Sequence, residues 1–359
     1  MKKVRCAVIG AGWWATTAHL PVLKGHADVH LVAVQSLDEQ KVQQIANDFG
    51  AARAFTRWQD VIAIESLDAV VIASTPNVHF EQAKAALQRG LHVLLEKPLT
   101  FTVQQAEELV HLAESKPVHF VASFPWHFTS HSTEAQRLIR AGELGKIKMI
   151  SILMMDECLG LYQGLPWKEI FGDGFNPECQ PEPYVEPGRR SYADPLIAGG
   201  GQIFSQVSHV AAFLTFLTGQ QATEVFARFD NGPANVDVYN VINIKLDEGA
   251  IASIASTGAT KKTKRACPVA IYGTDGVLNL DLFDGTMRFQ RMDGLTREYP
   301  PLSEADAYPM GGPVRHLIEL VMKRSDLNPS PGLLGLAAMK IVEGACRSVE
   351  RHANVQIPW

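Results

Sequence analysis

Lys97 lies in the string Glu96-Lys97-Pro98, directly after the apolar run Val93-Leu94-Leu95. An ammonium group at the end of a buried strand can stabilise an alkoxide-like oxygen and exchange its proton. Hydride transfer at a carbinol carbon makes that demand. Two other strings supply the rest of such a reaction. Gly10-Ala11-Gly12-Trp13-Trp14-Ala15 has the spacing of a dinucleotide fingerprint. Its first glycine allows a tight turn, its second lets backbone approach a pyrophosphate, and Ala15 is small enough for a helix to pack on a strand. Ser74-Thr75-Pro76-Asn77-Val78-His79 follows a second apolar run and offers a polar loop to the same ligand. Together they point to chemistry with a nicotinamide dinucleotide. An arbitrary Glu-Lys pair is an exposed ion pair of little energetic weight. The strand-end position and the proline that follows favour the chemical role here.

These strings need a scaffold, and the pattern around them supplies one. Val4–Ile9 reads as a strand that enters the glycine turn, followed by a helix from about Ala15 to Lys24 with Pro21 as a kink or stop. Strands at Val29–Val34, Asp68–Ala73, His92–Glu96 and Val118–Ala122 alternate with helices at Glu39–Phe49, Phe80–Arg89 and Val103–Ala113. Alternation at this spacing predicts a doubly wound parallel sheet, α/β in class, over residues 1–123.

The end of the second strand usually carries an acid that grips the adenine ribose of NAD. Here the sequence reads Gln35-Ser36-Leu37-Asp38, with Ser36 at the acid's position. A serine does not repel the 2′-phosphate of NADP, although Leu37 offers it no arginine clamp. The cofactor is therefore NAD or NADP, with a slight tilt to NADP. Asp38 reads as a cap for the next helix.

Composition narrows the remaining classes. A chain of 359 residues suits two domains, and 46% hydrophobic with 20% charged residues does not suggest disorder. The formal charge of −5 and one short basic cluster, Lys261-Lys262-Thr263-Lys264-Arg265, argue against nucleic-acid or anionic-membrane binding. We read that cluster as a solvated loop. The five cysteines (Cys6, Cys158, Cys179, Cys267 and Cys346) are far apart, which fits reduced thiols in a cytoplasmic protein. No metal-ligand spacing, serine-nucleophile elbow or Walker loop is present. No apolar stretch approaches the roughly 20 residues of a membrane helix.

From about Phe124 the alternation stops. A helix is expected at Glu134–Arg140, with strands at Lys146–Met155, Glu224–Phe229, Val238–Leu246, Ala250–Thr257, Val269–Tyr272 and Val277–Asp281. Asp247-Glu248-Gly249 and Thr274-Asp275-Gly276 read as hairpin turns, so residues 124–359 form an α+β domain with an open, mostly antiparallel sheet. A last helix spans about 333–351 and is expected to pack back across the domains. A long loop, about Glu157 to Ala198, carries Trp167, Tyr184, Arg189, Arg190, Tyr192 and Asp194, and either lines the active site or forms a subunit contact. After Gly199-Gly200-Gly201 comes a helix whose Ile203, Val207, Val210, Leu214 and Leu217 share a core face. Gln202, Ser205, Gln206 and His209 form a polar stripe beside it, expected to face solvent, a cleft or a partner. Trp126, His127 and His131 follow the last parallel strand and are candidates for the cleft or for ordinary packing. Trp13 and Trp14 either shape the nicotinamide pocket or pack the domain seam.

Thr75-Pro76-Asn77-Val78-His79, Ala83-Lys84-Ala85, Gly90-Leu91-His92-Val93 and Glu96-Lys97-Pro98 resemble the Gfo/Idh/MocA family. The similarity continues through Ala141-Gly142-Glu143-Leu144-Gly145-Lys146, Gly199-Gly200-Gly201, His209 and Gly273-Thr274-Asp275-Gly276. The resemblance implies an NAD(P)-dependent oxidoreductase acting on a sugar, cyclitol or related polyol, in a homodimer or homotetramer. It also implies a cis peptide before Pro98, and cofactor contacts from Ser74, Thr75, Pro76, Asn77, His79 and Glu96. Gly10, Gly12, Trp13, Trp14 and Ser36 complete the expected cofactor set. Lys97 would touch both nicotinamide ribose and substrate, and His209 would be the base. The family's helix carries an aspartate one turn before this histidine; here that position is Ser205. Two routes stay open: His209 acts with Gln206, Gln202 or Asp194 as its orienting group, or deprotonation passes to Lys97 or a tyrosine. Trp126, Trp167, Tyr192, Asp194, Ser205 and Gln206 are the expected substrate neighbours. Two rival readings also stand: a cofactor-binding regulator without turnover, and an enzyme retaining NAD through a transient redox cycle without net oxidation.

Overall fold

The computed structural model describes residues 3–171, 183–261 and 264–359. Cys179, Lys262 and Thr263 from the sequence reading lie outside them. Among the described residues, no helix is long and apolar enough to cross a membrane. The chain divides into two units. The first comprises residues 1–123, 164–199 and 310–336, and the second residues 124–163, 200–309 and 337–359. The change of unit between Ser123 and Phe124 is where the alternation stops. The second domain expected at 124–359 is nevertheless not continuous, because two stretches of it belong to the first unit.

The first unit is built on β1 (Val4–Ile9), β2 (Val29–Gln35), β3 (Ala54–Phe55), β4 (Ala69–Ile72), β5 (His92–Leu95) and β6 (Phe120–Ala122). They form one sheet in the order β3-β2-β1-β4-β5-β6, parallel throughout. Residues Ala69–Ile72 are buried at every position, as a strand covered on both faces must be. The chain order reverses direction between β1 and β4. In such sheets ligands bind at this reversal, beyond the carboxyl ends of the strands.

Pro21 does not stop the first helix. Helical structure runs from Trp13 to Gly25 because its early part, Ala15–His19, is a π-helix in which Leu20 N–H donates to Ala15 O. The proline then falls in the first turn of the α-helix Leu20–Gly25, where a missing N–H and a fixed φ are tolerated.

The second unit contains β7 (Ile147–Met155), β8 (Ala222–Asp230), β9 (Tyr239–Leu246), β10 (Ile251–Thr257), β11 (Pro268–Gly273), β12 (Gly276–Asp281), β13 (Thr286–Arg291), β14 (Thr296–Tyr299) and β15 (Val355–Gln356). Their order is β14-β13-β12-β11-β7-β10-β9-β8-β15, with antiparallel pairing except between β7 and β10. Both expected hairpin turns join neighbouring antiparallel strands, β9 to β10 and β11 to β12. The sequence reading missed β13, β14 and β15. β9 alternates strictly between exposed and buried residues, so one face of the sheet is covered and the other is open. Arg265, expected in a solvated loop, instead pairs with buried Asp156 at 2.5 Å and lies over the Phe283 ring.

Candidate active site

The glycine turn is held from behind by a residue the sequence reading passed over. Gln35 ends β2, and its side-chain oxygen accepts from Gly10 N–H at 3.1 Å while its amide donates to Thr56 O at 2.9 Å. A polar residue closing an apolar strand was the available signal. Gly10 has φ of 78°, and a Cβ there would lie 2.3 Å from Ser74 N. Gly12 is the opposite case, since a Cβ there would meet nothing within 4 Å. One glycine is required by the protein's own backbone; the other leaves open space where the fingerprint calls for a phosphate. Those features, at the strand reversal, fit a dinucleotide. Gly10, Gly12 and the Ser74–Asn77 loop are the residues that would hold it.

At the end of β2, Ser36 is buried and its N–H donates to Phe55 O at 3.2 Å, whereas Leu37 is 90% exposed. Asp38 caps the helix Glu39–Phe49 by accepting from Lys41 N–H at 3.0 Å. That carboxylate is thus committed to the helix.

The Thr-Pro loop and the Glu-Lys-Pro turn are tied together by His79. Its ring is fully buried, with Nδ1 2.9 Å from Pro98 O and Nε2 2.9 Å from Ser74 O. Burial lowers its pKa, and the two carbonyls only partly offset that. His79 therefore sits as a spacer between the two loops. Ser74 Oγ donates to Gln82 Oε1 at 2.6 Å, and Thr75 Oγ1 donates to Asn77 Oδ1 at 2.7 Å around the short helix Pro76–Val78.

The peptide before Pro98 is cis, and Lys97 is half-buried. Glu96 is 5% exposed. One of its oxygens accepts from Trp14 Nε1–H at 2.8 Å and lies 2.8 Å from His19 Nε2; the other accepts from Lys97 N–H at 3.2 Å. Burial pushes the Glu96 pKa upward, but His19, the charge of Lys97 and a Ser123 hydrogen bond outweigh it, and the net shift is down. Glu96 is therefore a buried anion beneath the lysine turn, occupied by protein donors. Trp13 packs edge-on against Trp14 at 5.9 Å and against Trp167 at 4.8 Å. Trp167 thus joins the phosphate-loop tryptophans within the first unit.

Other residues of the long loop also lie on the first unit. Tyr184 donates to Asp48 Oδ2 at 2.9 Å. Asp194 caps the short helix Pro195–Ala198, accepting from Leu196 N–H, and accepts from Arg190 Nε at 2.7 Å. The Arg190 hydrogen bond holds the Asp194 carboxyl below its ordinary range. Tyr192 is half-buried.

In the second unit most of the polar stripe is withdrawn from solvent, with Gln206 half-buried. Gln202, Ser205 and His209 are 0%, 7% and 4% exposed. Tyr162, which the sequence reading did not select, explains why: its hydroxyl donates to Gln202 Oε1 at 2.7 Å and shares a hydrogen bond with Ser205 Oγ. Gln202 then donates to Ser256 Oγ at 2.7 Å, and burial raises the Tyr162 pKa well above its usual value. Gln206 donates to Cys158 Sγ at 3.5 Å. The segment Ile203–Val207 is a π-helix running into the α-helix Ser208–Thr218. Its start is fixed by Asp237, also missed, which accepts from Gly201 N–H at 2.8 Å, Ile203 N–H at 2.7 Å and Asn240 Nδ2 at 2.9 Å. A Cβ on Gly201 would fall 2.0 Å from Asp237 O, so only glycine permits this approach.

His209 lies between aromatic rings, 5.8 Å from Phe124 and 5.6 Å from Trp126. Trp126 itself is 2% exposed and donates to Leu282 O at 3.1 Å, which makes it part of the wall around His209. His127 stacks on Phe216 at 4.4 Å, and His131 lies 3.1 Å from Pro300 O, so both pack in the interior.

A dinucleotide-type α/β unit joined to a unit with a large mixed sheet defines a class of two-unit oxidoreductase scaffolds. Residues 4–124 match the family described as "Oxidoreductase family, NAD-binding Rossmann fold", and residues 176–279 match "GFO/IDH/MocA C-terminal domain". The chain belongs to the Gfo/Idh/MocA oxidoreductase family. A similar curated protein is the dTDP-3,4-didehydro-2,6-dideoxy-alpha-D-glucose 3-reductase of Streptomyces antibioticus, 35% identical over 150 residues, covering 42% of this chain and 45% of the relative. The chain spans about half the length of the curated relatives it matches. Among solved structures, an oxidoreductase domain protein from Kribbella flavida has a TM-score of 0.82 at 20% identity, with 100% of both chains covered. Levoglucosan dehydrogenase in complex with NADH and L-sorbose has a TM-score of 0.78 at 18% identity, again with 100% of both chains covered. At these identities the likeness establishes the fold.

Proposed function

We propose that this chain is an NAD(P)-dependent dehydrogenase or reductase acting on a hydroxyl or carbonyl of a sugar, cyclitol or related polyol. The observation that carries the reading is the open space at Gly12, at the sheet's strand reversal, in the same unit as a lysine turn built on a buried anion. The sugar-modifying and sugar-oxidising activities named for the relatives above support the substrate class. When bound, the dinucleotide would accept or donate the hydride. The chain's own part is charge and proton handling. Lys97 stabilises the negative charge developing on the substrate oxygen, and His209 removes or returns the hydroxyl proton. His79 and Glu96 keep the lysine turn in place.

Replacing Lys97 by alanine should leave dinucleotide affinity within about tenfold and lower turnover by about 100-fold or more, the scale of a lost proton-transfer or charge-stabilising group. Turnover near the wild-type value would end the assignment. Ser36, with Asp38 committed to its helix, supports acceptance of NADP. Fluorescence titration should then show NADPH binding at least as tightly as NADH. The open sheet face, with Val241 51% and Ile251 58% exposed, supports a homodimer or homotetramer, which sedimentation would test. The Tyr162–Ser205 contact favours a second reading, a cofactor-binding regulator, because it satisfies the helix without the family's carboxylate. A dinucleotide bound but never turned over across a panel of sugars, cyclitols and sugar acids would select it.

A further inference from the structure

We infer that Arg57 selects NADP over NAD, by supplying from the end of β3 the cation that the end of β2 lacks. The inference rests on the dinucleotide reading of the first unit and names the residue that sets its cofactor choice. The end of β2 offers a 2′-phosphate no cation. Ser36 is buried with its N–H given to Phe55 O, Leu37 is an exposed apolar side chain, and Asp38 caps its helix. The neighbouring strand makes up the deficit. β2 and β3 run parallel, with Val34 opposite Ala54 and Gln35 opposite Phe55. Two residues beyond that last pair stand Leu37 on one chain and Arg57 on the other. Neighbouring strands lie about 5 Å apart, a gap that a long, flexible arginine side chain spans. Two bonds hold the chains together past the pair: Ser36 N–H donates to Phe55 O at 3.2 Å, and Gln35 Nε2 donates to Thr56 O at 2.9 Å. Gln35 Oε1 also accepts from Gly10 N–H at 3.1 Å. One side chain thus ties together the glycine turn, the end of β2 and the residue just before Arg57.

Arg57 is free for that task. It is exposed, and among the described residues its guanidinium forms no ion pair or hydrogen bond. Asp60, in the first turn of the helix Trp58–Ile62, does not pair with it. Its place in the chain is also a poor one for an arginine on structural grounds. Arg57 is the N-cap of that helix, in extended conformation, and makes no side-chain cap bond. Residues favoured at this position offer an oxygen to the first helix N–H groups, whereas a guanidinium has only donors. The side chain therefore does nothing for the helix it precedes, and its donors remain open to a ligand with acceptor oxygens. In a sheet of this type the adenine ribose lies at the end of β2, so the phosphate that distinguishes NADP is the group within reach. A planar guanidinium meets two phosphate oxygens at once, which a lysine ammonium does not.

The test is equilibrium binding to the full-length protein and needs no known substrate. The wild type should bind adenosine 2′,5′-bisphosphate at least about tenfold more tightly than 5′-AMP, and NADPH more tightly than NADH. Arg57→Ala should weaken the two 2′-phosphorylated probes at least about tenfold, the scale of a lost charged hydrogen bond, and leave 5′-AMP and NADH within about twofold. Arg57→Lys keeps the charge without the planar fork and should fall between. Arg57→Ser gives the helix a capping oxygen, so its melting temperature should be no lower than wild type while its preference for the 2′-phosphate is lost. That pairing separates ligand recognition from a structural role. Equal losses for phosphorylated and unphosphorylated probes overturn the proposal, as does a 2′-phosphate preference that survives in Arg57→Ala. So does a wild type that does not prefer the 2′-phosphorylated probes, which would leave the dehydrogenase reading standing with NAD as its cofactor. Conversely, absence of turnover on every polyol, with 2′-phosphate discrimination intact, would sink the dehydrogenase reading and leave the assignment of Arg57 in place.

Discussion

The two units place their polar groups in opposite ways. In the first unit they sit in turns beyond the strand ends: the glycine turn, the Ser74–Asn77 loop and the Glu96–Pro98 turn. In the second they lie inside a helix, where Gln202, Ser205 and His209 are buried among Tyr162, Ser256, Phe124 and Trp126. A loop can exchange side chains at small cost to its scaffold. A buried polar seam cannot, because each unpaired group carries a desolvation penalty. Substitutions in the first unit should therefore separate binding from stability, and substitutions in the second should couple them.

The sharpest form of that contrast uses the two fingerprint glycines. Gly10→Ala places a Cβ against Ser74 backbone and forces an unfavourable positive φ, so it should destabilise by about 3 kcal/mol or more and lower soluble yield. Gly12→Ala meets no protein atom and should leave the melting temperature within about 2 °C, while weakening NADH binding at least tenfold by filling the phosphate space. Parallel losses of stability in both variants would remove the distinction. In the second unit, Asp237→Ala takes the acceptor from two helix N–H groups and Asn240 at once. It should cost about 2–4 kcal/mol in urea unfolding, and turnover should fall with it. A stable Asp237→Ala variant would show that the helix start is not held as described.

Ser205 sharpens the comparison at a smaller scale. Ser205→Ala leaves the Tyr162 hydroxyl its bond to Gln202, so the cost should be only about 1 kcal/mol, with turnover within about threefold. Ser205→Asp would install the carboxylate typical of the family, but in a buried position beside a phenol. It should destabilise by more than the alanine variant, because a carboxylate there is both desolvated and larger. A Ser205→Asp protein more stable than Ser205→Ala would mean that the seam is built to accept charge.

The same contrast explains what could be read from the residues. The first unit was legible because its rules are local: a glycine turn after an apolar strand, a cap at Asp38 and strand–helix alternation all act over a few neighbours. Gln35, His19 and Tyr162 were not, because their partners are distant in sequence, Gly10 and Thr56 for Gln35, Glu96 for His19, and Gln202 and Ser205 for Tyr162. The polar stripe was placed on the right helix, but of the settings it allowed, open solvent does not hold for Gln202, Ser205 and His209. A 3.6-residue period cannot show that residues Ile203–Val207 form a π-helix, nor that a tyrosine four dozen residues or fewer upstream closes over them. The span of the first helix was legible to within a residue or two, but not that a π-helix precedes Pro21 and sets it in the first turn of the α-helix that follows, so that it is no stop.

The smallest effect tests the first unit's scaffold and concerns pH. His92 begins β5 and stacks on His119 at 5.1 Å, and its Nδ1 accepts the His119 backbone N–H at 2.9 Å. That bond requires an unprotonated Nδ1. Burial, then the neighbouring His119, pushes the His92 pKa from 6.5 down to about 4. Because the folded value is depressed, the unfolded chain binds the extra proton first as pH falls. The contribution is whole above about 6.5, declines between 6.5 and 4, and is gone below the folded value. Partial exposure of the ring keeps the effect modest. His92→Gln, which does not titrate, should reduce the drop in melting temperature between pH 7 and pH 5 by about 2 °C. Binding of NADH at pH 7 should be unchanged, because this strut lies at the start of β5 and Lys97 follows its end. An acid-induced drop identical to wild type would mean that His92 does not carry this part of the first unit's pH dependence.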